Sequence, residues 1–80
     1  MAIGKIMETA LNAQINEELG SAYLYLSMSA YFESINLKGL AHWMRMQANE
    51  EVKHSMKFYE HLTERMGRVS LTDLKKPAFE

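Results

Sequence analysis

The sequence predicts an all-α fold, an antiparallel hairpin of two long helices. Three observations lead there. Leu, Ala, Met, Glu and Lys dominate the chain, while β-branched residues are sparse. The single proline is Pro77, so nothing breaks a helix across the first 76 residues. Apolar and small residues recur at alternating steps of four and three along two segments, and no window shows comparable period-two patterning.

The first helix is expected over about residues 5–33. Its seam runs Leu11, Ile15, Glu18, Ala22, Tyr25, Ser29 and Phe32. The pattern breaks at Glu33-Ser34-Ile35-Asn36, where Asn36 suits the N-cap of a second helix with Leu37 as its first residue. That helix is expected over about 37–66, with the seam Ala41, Met44, Ala48, Glu51, Ser55, Phe58 and Leu62. Arg65 suits its last turn, and Gly67 the left-handed position that follows. Each helix is then roughly 45 Å long. Beyond Gly67 the chain is read as extended or as a short turn, and Pro77 stops regular structure. The connection between the helices is too short to do anything but reverse the chain.

Eighty residues make one small domain, in which only about 60% of the unfolded surface becomes buried. The chain is 48% hydrophobic, more than one seam per helix requires, so a dimer or half of a larger bundle is expected. Nine basic against ten acidic residues offer no phosphate-seeking patch, which argues against a nucleic-acid partner. Without cysteine, disulfides and thiolate metal sites are excluded. No apolar run approaches the ~18 residues of a membrane helix, and no signal-peptide pattern opens the chain. The expectation is a soluble, cytoplasmic protein with no membrane partner.

Chemistry enters where the seams are interrupted. Glu18 and Glu51 stand at positions where the spacing asks for apolar side chains. A lone ionised carboxylate is costly to bury, so each must be paired, protonated, solvated or bound to a cation. His54 follows Glu51 by three residues, one turn along on nearly the same face. Folded about residue 35, Glu18 lies 17 residues before the turn, Glu51 16 after it and His54 19 after it. All three reach one level near the middle of both helices. Carboxylate oxygens with one imidazole suit iron, manganese or zinc rather than copper(I). Ferritin-like carboxylate centres are built from such a set, and this chain offers half of it.

The stretch Leu11-Asn12-Ala13-Gln14-Ile15-Asn16-Glu17-Glu18-Leu19, with Ala22-Tyr23-Leu24-Tyr25-Leu26-Ser27-Met28, resembles the first helix of non-haem ferritins of prokaryotic type. Gly39-Leu40-Ala41-His42-Trp43-Met44 and Gln47-Ala48-Asn49-Glu50-Glu51-Val52-Lys53-His54 are similar to their second helix. The likeness runs over essentially the whole chain as the N-terminal half of such a subunit. It implies half of a ferritin-like four-helix bundle, with 67–80 as the start of a long crossover. By the same resemblance Glu18 is a terminal carboxylate ligand, Glu51 the carboxylate bridging two irons, and His54 an imidazole ligand. Tyr25 falls where the family has a tyrosine beside the centre, with a hydrogen-bonding or redox role. Glu50 falls at an accessory third-iron position, although it stands about 100° round the helix from Glu51, a direction that ordinarily faces water. His42 and His61 are read as surface or structural residues.

The resemblance implies iron storage with a di-iron ferroxidase centre that oxidises Fe(II) to Fe(III) with oxygen or peroxide. The implied assembly is a homo-oligomer, a 24-mer shell in the full-length family or a dimer of hairpins for this chain. Gly20 departs from the bulkier residue expected beside Leu19. The competing reading is a non-catalytic helical assembly module whose metal site is empty or structural. A rubrerythrin-type peroxidase is a third, weakened by the lack of cysteine for a thiolate iron site.

Overall fold

A computed structural model describes residues 3–77. Two helices pack side by side as an antiparallel hairpin, α1 over Lys5–Ser34 and α2 over Lys38–Glu64. Their 30 and 27 residues correspond to about 45 and 40 Å, within a molecule 51 Å in its longest dimension. Among the described residues no strand forms, and no helix is long and apolar enough to cross a membrane.

Both seams face inward. Leu11, Ile15, Ala22 and Ser29 of α1 are buried, as are Ala41, Met44, Ala48, Ser55 and Leu62 of α2. Near the open end of the hairpin, Leu11, Ile15 and Leu62 form an apolar cluster with Ile3, Leu19, Phe58 and Val69 packed on it. Towards the turn the buried side chains are Ala22, Ser29, Ala41 and Ala48 together with Met44. There Ser29 Oγ donates to the Ala41 carbonyl at 2.7 Å, tying one helix to the other. Between these zones lie the carboxylates.

The turn differs from the capping expected of it. Asn36 is not the N-cap of α2. It sits at φ 63° just past the end of α1, with Ile35 as the C-cap and Leu37 as the N-cap of α2. The N–H of Leu37 reaches the Phe32 carbonyl at 2.8 Å, and that of Asn36 reaches Glu33 at 3.0 Å. These two bonds define a Schellman closure, in which asparagine is the best-tolerated residue after glycine. Lys38 Nζ bonds Glu33 Oε1 at 2.5 Å across the turn.

The end of α2 repeats this motif one residue earlier than expected. The helix stops at Glu64, Arg65 is its C-cap, and Met66, not Gly67, takes the left-handed conformation at φ 61°. Gly67 N–H bonds the Leu62 carbonyl at 2.9 Å, and Met66 N–H bonds Thr63 at 3.1 Å. Gly67 is small for another reason. A Cβ there would collide with the Leu62 side chain and approach Ile3 Cγ2 to 2.9 Å.

After Gly67 an extended strap lies back along α1, its last described residues reaching Tyr23, Leu26 and Ala30. A comb of side chains spaced one helical turn apart holds it. Arg68 N–H donates to Glu8 Oε2 (2.9 Å), Ser70 N–H to Asn12 Oδ1 (2.7 Å) and Thr72 N–H to Asn16 Oδ1 (3.0 Å). In return Asn12 Nδ2 donates to the Arg68 carbonyl and Asn16 Nδ2 to that of Ser70. Four helical residues rise about 6.0 Å and two extended residues about 6.6 Å, so the two repeats stay in step. Of the expected crossover segment 67–80, residues 78–80 lie outside the described residues.

Candidate metal centre

Midway along the seam, α1 presents Glu18 and α2 presents Glu51 and His54. Each side chain offers a ligand atom, and these atoms lie within 4.8 Å of one another. His54 Nδ1 is 3.6 Å from Glu18 Oε2 and 3.7 Å from Glu51 Oε1. Two neighbouring ligands of one divalent first-row cation, each about 2.1 Å from it, stand about 3–3.4 Å apart. The two gaps at His54 exceed that by a few tenths of an ångström, so a cation could bring His54 and either carboxylate together with small side-chain movements.

The electrostatics of the cluster favour a cation as well. The two carboxyls lie close enough to perturb each other in opposite directions. Glu18 is held below the ordinary glutamate range, first by the hydrogen bond from Glu51, then by Gln14 and by His54. Glu51 is pushed above that range by its bond to Glu18, by burial and by repulsion from the Glu18 charge. A metal ion among them would offset the negative charge of both groups. Gln14 Nε2 donates to Glu18 Oε1 at 2.9 Å from one turn below. An open hollow of about 220 Å³, lined by Glu18, His54, Lys57 and Phe58, gives access from one side.

Of the sequence-predicted site residues, these three come together. Glu50 lies outside the group, exposed and 3.5 Å from Lys53. Tyr25 is half-buried on the α1 seam, two turns or about 10 Å beyond Glu18. His42 and His61 are exposed on α2. Sequence reasoning assigned no part to Gln14, whose signal is its spacing of four residues before Glu18. It also passed over the Glu8–Asn12–Asn16 comb, which shares that spacing but serves the strap rather than the metal cluster.

Fold and donor set together define half of a helical bundle that carries a candidate carboxylate–histidine cluster. A profile of the ferritin-like domain matches residues 8–80, and the chain belongs to that family. The open-pore ferritin of the hyperthermophilic archaeon Archaeoglobus fulgidus is 52% identical, with a TM-score of 0.92 over 98% of this chain and 48% of that one. A closed form of the same ferritin, engineered by site-directed mutagenesis, is also 52% identical, with a TM-score of 0.94 over 99% of this chain and 48% of that one. A humanized archaeal ferritin is 54% identical at the same TM-score and coverage. The chain thus spans about half the length of these ferritins, as the N-terminal half of the subunit.

Proposed function

We propose that the chain serves iron storage of the ferritin type. In this reading Glu18, Glu51 and His54 hold Fe(II) in a carboxylate-bridged di-iron centre, where it is oxidised to Fe(III). One observation carries it: three ligand-competent side chains from two helices meet within 4.8 Å. Family membership and the identity to an archaeal ferritin support it.

Iron is the cargo, and each Fe(II) gives up one electron to oxygen or peroxide. Glu18 and Glu51 supply negative charge that stabilises the higher oxidation state, and His54 fixes the geometry with a neutral donor. Three donors underfill two metal ions, so further ligands come from other helices of a bundle, within a homo-oligomeric assembly in the cytoplasm. Tyr25 serves as a hydrogen-bonding or redox neighbour of the centre. Glu50 serves as an accessory ligand once its side chain turns from Lys53.

The test is anaerobic Fe(II) titration followed by admission of oxygen, with Fe(III) formation and oxygen uptake recorded together. Wild-type chain is expected to bind and oxidise Fe(II), and Glu51→Ala to lose both. Unchanged oxidation in Glu51→Ala would overturn the ferroxidase assignment. A second reading, a non-catalytic assembly module, is favoured by the apolar side chains on the outer surface, with Trp43 58% and Leu26 53% exposed. It requires that iron neither bind stoichiometrically nor oxidise faster than in buffer.

A further inference from the structure

We propose that Gln14 is a positioning residue that sets the direction of the Glu18 carboxylate for metal binding. The inference rests on the reading of Glu18, Glu51 and His54 as a cation site. Gln14 and Glu18 lie one turn apart on the same side of α1, and both are half-buried. The Gln14 amide donates to Oε1 of Glu18 at 2.9 Å. The other oxygen, Oε2, is the one 3.6 Å from His54 Nδ1. The two oxygens are therefore divided, one tied down and one turned into the cluster.

This division matters because a glutamate carboxylate swings freely about its last torsion. The Gln14 amide is uncharged and does not titrate, so its hold on Oε1 persists through loading. With Oε1 occupied, Glu18 is steered towards binding through Oε2 alone, which leaves room at the metal for other ligands. Outer hydrogen bonds of this kind orient metal-binding carboxylates, and their loss commonly costs 10–100-fold in metal affinity.

The experiment titrates Co(II), which is stable in air and has ligand-field absorption bands, into wild-type chain and Gln14→Met. Methionine is similar in length and helix propensity but has no donor. Helix content and thermal unfolding of the metal-free proteins are recorded in parallel by circular dichroism. Expected is a Co(II) Kd weakened about 10-fold or more, an altered band pattern, and a melting midpoint within a few degrees of wild type. Gln14→Asn, one methylene too short to reach Oε1, is expected to behave the same way and serves if the methionine variant does not fold. A Kd unchanged within about twofold in both variants overturns the inference, whether or not the melting midpoint falls. No Co(II) binding by wild type overturns the cation site itself, and the inference with it.

Discussion

Asn12 accepts the backbone N–H of Ser70 at 2.7 Å, across 58 residues of sequence. Its Nδ2 also donates to the Arg68 carbonyl, so one side-chain amide does what the peptide of a neighbouring strand would do. The Asn12 and Asn16 amides donate as well to the carbonyls of residues four earlier in α1. The strap is thereby joined to the helix without disturbing the helical ladder.

Replacing Asn12 with Leu removes the two bonds to the strap at once. These groups are exposed, so water takes over part of their role, and the expected loss is about 1–2 kcal/mol. Hydrogen exchange should report it locally. Amide exchange at Ser70 and Thr72 should accelerate, while that of the buried seam around Ile15 should change little.

Acid should loosen the strap from its Glu8 end. The Arg68 N–H holds the Glu8 carboxyl below the ordinary glutamate range, helped by Lys5. A depressed folded pKa means the contribution is complete above the unfolded pKa and lost as pH falls through the folded one. Glu8→Gln should abolish this dependence. The protection factor at Arg68, which divides out the intrinsic pH dependence of amide exchange, should show the step in wild type and none in the variant.

Three positions near or within the helices separate conformational strain from crowding. Met66 is 69% exposed and held at φ 61°, so Met66→Gly is expected to stabilise the fold by about 0.5–1 kcal/mol. Gly67→Ala drives a methyl into Leu62 and should cost about 1–3 kcal/mol. At Gly20, inside α1, an added Cβ meets nothing within 4 Å, and Gly20→Ala should gain up to about 1 kcal/mol. Urea unfolding midpoints of the three variants check the signs.

Stability and metal binding should oppose each other at residue 51. Glu51→Leu removes a carboxyl repelled by Glu18 and extends the apolar seam. The metal-free chain is expected to gain up to about 1 kcal/mol, while Co(II) affinity falls by more than about tenfold. A melt with and without Co(II) should then show a metal-dependent rise in wild type alone.

The helices and the cluster were legible because both follow from one periodicity. The alternating steps that place Leu11, Ile15, Ala41 and Leu62 in the interface also place Glu18 and Glu51 there, and equal distance from the turn brings them level. The helix ends were less legible. Asn36 suits an N-cap and a left-handed position equally, and only the chain's path distinguishes them. Gly67 reads as a residue chosen for its backbone, whereas its smallness is set by Leu62 and Ile3, one on the preceding helix and one near the other end of the chain. The comb was missed because asparagines on a helix flank read as ordinary surface, and their partners are backbone groups more than 50 residues away.

The pleat of the strap gives it parity. Alternate residues 68, 70 and 72 turn their N–H groups towards α1 while Val69 packs on the Leu11, Ile15 and Leu62 cluster, so inserting one residue between Gly67 and Arg68 would still offer backbone N–H groups to the three helix side chains but would turn Val69 out of the core. Inserting two would restore the alternation and only slide the strap one tooth along. Length changes in this segment should therefore be tolerated in even steps and resisted in odd ones, a counting rule imposed by a helix on a stretch of chain that forms no strand.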